Sequence, residues 1–220
     1  MTEFGGTEWG KEELRRRFRQ RRREQQGEAA AGILAAAQRD LPPRLASGLR
    51  LGLWWPIGAE PDLRPLAAQL ERQGPGRLAL PAVHPWPASS SALQLLYLPW
   101  HPDAPLAADA CGIPSPPAPA QGEAPLPPHQ LALLLVPALA IDCHGIRLGS
   151  GGGWYDRLRA DPAWRCVPAL AVLPAACVSP TPLPRDPWDV PFDGWLDETG
   201  LQAIHPPSGP RPAADFIASW

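Results

Sequence analysis

The chain has very little lysine, tyrosine, methionine and cysteine. Of its 20 basic residues only Lys11 is a lysine, and there are two tyrosines, one methionine and four cysteines. The cysteines show no CxxC spacing and no disulfide density, which predicts unpaired thiols in a reducing compartment. The formal net charge is only −2. It excludes a general electrostatic attraction of the whole chain to nucleic acid or to an anionic membrane.

Long apolar runs and a targeting segment are also missing from the sequence. No run approaches the roughly 18 apolar residues of a membrane-spanning helix, so we expect no membrane partner. The N-terminus is polar and charged, which predicts no signal peptide and a cytoplasmic location. We expect a disordered leader at 1–10, one domain at 11–204 and a C-terminal tail at 205–220.

Strand and helix patterns alternate along the domain, and this alternation predicts an α/β fold. The predicted strands lie at 49–57, 77–83, 93–98, 131–142 and 167–173, with a short one near Trp195. The predicted helices run from Lys11 to about Gln38 with a break at Gly27, from Asp62 as N-cap to Gly74, and from about Gly152 to Arg159.

The run at 131–142 is apolar on both faces, as in a central strand of a parallel sheet. We therefore expect a single domain with a largely parallel open sheet flanked by helices. The proline-rich stretch at 99–128 has no clear period and is interpreted as a surface loop.

The stretch RLGSGGGWYDR, from Arg147 to Arg157, follows the most apolar run. Its glycines reduce steric bulk, so that backbone N–H groups can approach an anion, and a helix that starts there adds its dipole. The stretch contains neither GxxxxGK[ST] nor GxGxxG. A flexible glycine linker is the alternative. The preceding strand and the aromatic-Asp-Arg ending favour a ligand-binding loop.

A basic segment at 15–23 carries seven arginines. It leaves open a different function, an RNA-binding or interaction protein that uses this helix. The acidic balance of the rest of the chain and the site-like motifs do not require RNA.

The whole glycine-containing string resembles the signature of the 5-formyltetrahydrofolate cyclo-ligase (5,10-methenyltetrahydrofolate synthetase) family, RLGxGGGxYDR after an apolar strand and an Asp-x-x-Gly turn. Other segments are similar to that family's in the same order: KEELR at 11–15, Glu60 after the first strand, RLALPAV at 77–83, CGIPSP at 111–116 and LPRDPWDVPFD at 183–193. The chain departs from the family at Ser115, where glutamate is usual, and at Trp154, where tyrosine is usual.

The resemblance implies a Rossmann-like three-layer fold and an activity. The expected reaction is the conversion of 5-formyltetrahydrofolate to 5,10-methenyltetrahydrofolate, with ATP as co-substrate, Mg²⁺ as cofactor and release of ADP and phosphate. The expected partners are small molecules only, and the expected state is a monomer. A non-catalytic relative that binds folate or nucleotide remains an alternative because of Ser115 and Trp154.

The resemblance also implies roles for individual residues. The catalytic residues would be Lys11, Arg147 and Asp156, and Mg²⁺ would be held by Asp156 and Asp189, since it prefers carboxylate and phosphate oxygens. The ATP-binding residues would be Lys11, Arg15, Arg147, Leu148, Gly149, Ser150, Gly151, Gly152, Gly153, Trp154 and Tyr155. The substrate-binding residues would be Trp55, Glu60, Trp154 and Tyr155.

Each role has a simpler alternative. Lys11 and Arg15 would then be solvated helix charges, and Asp156 would pair with Arg157. Glu60 would be an acid at a helix start, and Trp55 would be a core residue.

Overall fold

The computed structural model describes residues 10–45, 48–87, 89–120 and 122–204. The predicted leader, apart from Gly10, and the predicted tail lie outside the described residues. Within that part of the chain the helices are α1 Lys11–Asp40, α2 Arg64–Gln73, α3 Trp154–Ala160 and α4 Pro162–Arg165. The strands there are β1 Arg50–Gly52, β2 Leu78–Pro85, β3 Leu93–Trp100, β4 Ala107–Ala108, β5 Pro114–Ser115, β6 Leu131–Pro137, β7 Ala140–Asp142, β8 Arg147–Leu148, β9 Ala169–Val172, β10 Val178–Ser179, β11 Gly194–Asp197 and β12 Gly200–Ala203.

Seven of the strands form one sheet in the order β12-β11-β9-β6-β1-β2-β3. The five strands from β11 to β2 run parallel, and the edge strands β12 and β3 are antiparallel to their neighbours. The predicted largely parallel α/β sheet is therefore confirmed. The chain leaves β1 towards β2 and later returns to β6 on the other side of β1. Ligands bind in α/β proteins at such a reversal, outside the carboxyl ends of the strands.

Both faces of the sheet are covered, as the alternation along β6 shows. Leu133 and Leu135 belong to a core cluster shared with α2 and the second half of α1. Leu134 and Val136 belong to a cluster on the other face, which includes Leu14 at the start of α1 and the small sheet β10-β7-β8. Three layers result, and successive side chains of one strand serve different layers.

The predicted break at Gly27 is wrong, because α1 is one continuous helix of 30 residues. A Cβ at Gly27 would meet nothing within 4 Å, so packing does not require glycine there. Phe18 near one end of the helix and Ile33 near the other are both buried in the core. Packing at both ends outweighs the cost of one glycine, which is about 1 kcal/mol.

The predicted strand at 131–142 is two strands. β6 ends at Pro137, and β7 begins at Ala140 and joins the small sheet. Both segments are buried, so an apolar pattern alone does not reveal the corner between them. Strand β1 is likewise much shorter than the predicted 49–57.

The interpretation of 99–128 as a surface loop is wrong in part. The segment contains the hairpin β4-β5, and Asp109 and Ser115 within it are buried. The carboxylate of Asp109 accepts hydrogen bonds from the backbone N–H groups of Val83 and Cys111, at 2.9 and 2.8 Å. The bond from Val83 fastens the hairpin to β2, and the bond from Cys111 lies within the hairpin.

The helix ends differ slightly from the sequence expectations. Asp62 accepts a hydrogen bond from Arg64 N at 2.9 Å, but the N-cap of α2 is Leu63. The helix ends at Gly74, as predicted. Helix α3 begins two residues after the predicted Gly152. In the described residues, none of the helices combines the length and apolar character needed to cross a membrane. All four cysteines are free, as predicted.

Candidate functional site

A cavity of about 330 Å³ lies where the carboxyl ends of β1 and β6 meet. Its size is in the range of small-molecule sites. Its walls include the start of α1, the segment after β1, the loop before β11 and residues 149–153, which are called the glycine-rich loop below. The predicted site residues all line it, namely Lys11, Arg15, Trp55, Glu60, Arg147, Leu148, Gly149, Ser150, Gly151, Gly152, Gly153, Trp154, Tyr155, Asp156 and Asp189.

The glycine-rich loop forms one wall of the cavity, and two of its positions show why a residue without a Cβ is needed there. Gly153 has φ 64° and ψ 14° and is the N-cap of α3; other residues rarely adopt this left-handed conformation. Gly149 lies against the guanidinium of Arg147, and a Cβ there would be 2.8 Å from Nη1. The loop is therefore held in a shape that leaves its backbone open to the cavity.

Arginines of α1 hold this loop from the side. Arg15 Nε donates to Gly149 O at 3.2 Å, and Arg19 Nη2 donates to Ser150 O at 3.3 Å. Lys11, Arg15 and Arg19 are four residues apart and share one helix face. Arg19 was not among the predicted site residues. The continuation of the four-residue spacing is the signal that points to it.

Lys11 is not a solvated helix charge. Its Nζ lies 2.9 Å from Asp189 Oδ2 and also contacts Asp186. Partial burial acts to lower the pKa of Lys11, but the hydrogen bonds to the two aspartates outweigh it and the pKa rises. The single lysine is therefore a fixed positive charge at the cavity wall.

Arg147 and Asp156 form an ion pair beneath the loop. Arg147 Nη2 lies 3.3 Å from Asp156 Oδ1, and Nη1 donates to Pro137 O at 3.1 Å. The pair joins the carboxyl end of β6 to the first turn of α3. The alternative in which Asp156 pairs with Arg157 is not what the structure has, since Arg157 donates to Gly152 O.

The residues predicted to hold Mg²⁺, Asp156 and Asp189, line the same cavity. Among the described residues, no group of three or more His, Cys, Asp or Glu side chains is arranged to hold a metal ion. Two carboxylates suit Mg²⁺ when phosphate and water oxygens complete the coordination. The donor set fits a Mg²⁺ ion that arrives with a nucleotide, and it does not fit a resident metal held by protein alone.

Glu60 has a buried carboxylate at the cavity wall. Only 9 % of its side chain is exposed, and its Oε2 accepts a hydrogen bond from Ile57 N at 3.1 Å. Burial raises the pKa of Glu60, against the lowering effects of the Ile57 hydrogen bond and of Arg22. Because α2 begins only at Arg64, Glu60 is not an acid of a helix start.

Aromatic and apolar side chains complete the cavity. Trp55 lies on its wall with the guanidinium of Arg64 over the ring, 4.7 Å from the centroid. Trp188 is 63 % exposed and also lines the cavity. Asp186, an alternative to Asp189 in the same loop, lines the cavity as well. Sequence reasoning missed several other lining residues, namely Trp54, Ile57, Pro81, Val83, Leu95, Asp109, Ile113, Pro137 and Trp188. Most are apolar residues that nothing in the sequence distinguishes from core.

Comparisons with known proteins show which proteins the chain resembles in sequence and fold. Residues 7–197 match the 5-formyltetrahydrofolate cyclo-ligase family. The 5-formyltetrahydrofolate cyclo-ligase of Escherichia coli K12 is 34% identical over 180 residues, covering 80% of this chain and 93% of the relative. That of Haemophilus influenzae is 36% identical over 114 residues, covering 51% and 57%.

Two solved structures are also similar. A 5,10-methenyltetrahydrofolate synthetase of Aquifex aeolicus has a TM-score of 0.65 and 25% identity, covering 91% of this chain and 95% of its own. One of Mycoplasma pneumoniae has a TM-score of 0.62 and 19% identity, covering 86% and 99%, and supports the fold alone.

Proposed function

Because the chain belongs to the 5-formyltetrahydrofolate cyclo-ligase family, we propose that it converts 5-formyltetrahydrofolate to 5,10-methenyltetrahydrofolate with consumption of ATP. The observation that carries the proposal is that one cavity contains both a cationic glycine-rich loop and a buried carboxylate. The two substrates would meet there, with the nucleotide at the loop and the folate at the acid.

The folate half of the site is the part around Glu60. The pyrimidine edge of a pterin presents adjacent N–H donors, which a carboxylate can accept together. The flat rings of Trp55 and Trp154 and the side chain of Leu95 offer apolar surface to a flat ligand. Tyr155 has a buried hydroxyl, and burial raises its pKa, so it would face the ligand as a neutral phenol.

The nucleotide half is the part around the glycine-rich loop. Backbone N–H groups of the loop would donate hydrogen bonds to the phosphate oxygens, because the glycines leave these groups accessible. Lys11 and Arg15 line the same side of the cavity and would offset phosphate charge. Arg147, predicted to be catalytic, would act mainly by holding Asp156 and the loop, as its guanidinium contacts indicate.

The chemistry follows from the weak reactivity of a formamide, whose nitrogen donates into the carbonyl group. The formyl oxygen attacks the γ-phosphorus of ATP, ADP leaves, and the oxygen becomes part of a good leaving group. The folate N10 then attacks the activated carbon, loses its proton, and phosphate departs with the former formyl oxygen. The protein contributes mainly alignment and neutralisation of charge.

Asp156 and Asp189 are the residues that would hold Mg²⁺, which would supply positive charge to neutralise the phosphates. The contribution of the chain's own residues is to hold those two carboxylates in place. Arg147 does so for Asp156, and Lys11 does so for Asp189.

The contacts of the basic segment support small-molecule substrates over RNA. Arg15, Arg19 and Arg22 donate inward to backbone carbonyl groups of the protein. Arg16 and Arg17 pair with Glu13. Arg16 and Arg17 remain exposed, but an RNA-binding helix would also present Arg15, Arg19 and Arg22 to solvent, and these three are directed into the protein.

The direct test is incubation of the purified protein with 5-formyltetrahydrofolate and Mg-ATP, followed by the near-ultraviolet absorbance of the methenyl product. We expect the absorbance to rise only when ATP, metal and folate are all present. Product formation without ATP, or binding of both ligands with no product, contradicts the proposal, and the second outcome identifies a non-catalytic relative.

A further inference from the structure

Arg22 is a buried arginine that the proposed reaction does not use. Its side chain is 8 % exposed, and its Nη1 lies 3.7 Å from Glu60 Oε1 and 3.4 Å from Ala138 O. Burial lowers its pKa, and Glu60 acts in the opposite direction. An arginine is seldom buried without a partner that compensates the loss of water. Glu60 is the acidic partner here.

The position of Arg22 on α1 places it in line with the residues that hold the glycine-rich loop. Lys11, Arg15, Arg19 and Arg22 follow one another at spacings of four, four and three, which keeps them on one helix face. The first two line the cavity. Arg22 is not among the cavity-lining residues and reaches only the rear of Glu60, so it would not touch a ligand.

We propose that Arg22 is a positioning residue for the folate, and that its buried guanidinium keeps the carboxylate of Glu60 ionised and oriented towards the cavity. The inference rests on the proposed function, since it assigns to Glu60 the recognition of pterin N–H donors. A neutral Glu60 would present a hydroxyl group to one of those donors and would lose one of the two hydrogen bonds to the pterin.

Other charges around the pair do not replace Arg22. Arg147 also acts to lower the pKa of Glu60. Its guanidinium, however, makes its contacts with Asp156 and with Pro137 O. Tyr155 lies near Glu60, and burial raises its pKa, so it stays a neutral phenol; a phenol carries no positive charge that could replace Arg22.

The pKa of Arg22 is also affected by three residues other than Glu60, namely Cys177, Arg19 and Arg23. Burial raises the pKa of the Cys177 thiol to about 11, so it is neutral at physiological pH. Glu60 is therefore the charged acid that Arg22 faces.

The first experiment compares Arg22→Leu, Arg22→Lys and Arg23→Leu. Arg23 is the exposed neighbour on the same helix and makes a matched control. We expect Arg22→Leu to raise the KM for 5-formyltetrahydrofolate about tenfold to a hundredfold, as for loss of a charged partner. The KM for ATP should stay within about twofold, Arg22→Lys should recover much of the folate affinity, and Arg23→Leu should behave as wild type. An unchanged folate KM, or equal losses for both substrates, overturns the proposal.

A double-variant cycle separates positioning from stability. Arg22→Leu alone leaves a buried carboxylate unpaired and is expected to lower stability, whereas Arg22→Leu with Glu60→Gln removes both charges. If Arg22 acts through Glu60, adding Arg22→Leu to Glu60→Gln changes the folate affinity less than about twofold. A further loss as large as that in the wild-type background refutes the inference.

Folate binding is measured by calorimetry as well as by KM, so the test does not depend on turnover. Wild-type protein that binds folate but forms no methenyl product refutes the proposed reaction while the Arg22 comparison still stands. Wild-type turnover with an unaffected Arg22→Leu variant refutes only the role of Arg22.

Discussion

Replacing Gly153 with alanine tests whether the glycine-rich loop depends on its left-handed backbone. Gly153 has φ 64° at the N-cap of α3, and alanine in that conformation costs about 1–2 kcal/mol. The new Cβ would lie 2.9 Å from Arg157 Nη1. That guanidinium is movable, but moving it weakens its hydrogen bond to Gly152 O, at about 1 kcal/mol.

We therefore expect Gly153→Ala to lower the free energy of unfolding by about 2 kcal/mol, or Tm by roughly 4–8 °C for a domain of this size. Because a loop displaced by about 1 Å can cost as much as a hundredfold in rate, kcat/KM for ATP should fall at least tenfold. The measurements are a thermal unfolding curve and steady-state kinetics at saturating folate.

The matched control is Gly27→Ala. Gly27 is exposed within α1, and a Cβ there meets nothing within 4 Å. Alanine should stabilise the helix by about 0.5–1 kcal/mol and leave the kinetics unchanged. The same substitution thus shifts Tm in opposite directions at the two sites. Equal shifts, or a Gly153→Ala variant with wild-type kcat/KM for ATP, would refute the account of the loop.

Three further predictions follow from the same geometry. Asp156→Asn should abolish Mg-ATP-dependent turnover with a fold unchanged by circular dichroism; wild-type activity in this variant removes the metal assignment. Glu60→Gln should weaken folate binding at neutral pH. The variant leaves Arg22 buried without its acidic partner, which costs stability, but it also removes a carboxylate whose pKa burial raises above its ordinary value of 4.5. Below that value Glu60 is protonated in both the folded and unfolded states, so the Tm of the variant relative to wild type should rise between about pH 4 and neutral pH; a Tm difference of equal size at both pH values contradicts this reasoning. Gly32→Ala should destabilise the protein, because its Cβ would lie 2.7 Å from Glu198 Cβ, and a Tm equal to that of Gly27→Ala would contradict the packing of α1 on the loop before β12.

The parts of the fold that were predictable are those in which local pattern and tertiary environment agree. The apolar runs at 77–83 and 167–173 became central parallel strands, because a strand buried on both faces needs no alternation. The corner after Pro137 was not predictable, since the residues on both sides are equally buried. The short edge strand β12 has no long apolar pattern, and its pairing with β11 fixes it.

The residues of the site were predictable to the extent that a motif names them. The glycine-rich string identified the loop, and the resemblance brought Lys11, Glu60 and Asp189 to the same cavity. Asp109 was not predicted, because it lies in a proline-rich stretch, where polar residues are usually exposed. Its burial follows from hydrogen bonds to backbone groups of β2 and of its own hairpin, which no local pattern shows.

The basic segment of α1 shows most clearly why composition alone leaves function open. Seven arginines in nine positions are equally compatible with RNA binding and with a phosphate site. The directions of the arginine side chains distinguish these two functions. Arg15 and Arg19 face the glycine-rich loop, and Arg22 faces Glu60. Arg16 pairs with Glu13 on the exposed side. One face of a single helix therefore supports both halves of the cavity. Arg15, Arg19 and Arg22 all precede Gly27, so the first part of α1 alone would set the distance between the proposed nucleotide and folate halves of the cavity. The continuation of α1 past Gly27 serves the core instead, where Ile33 is buried.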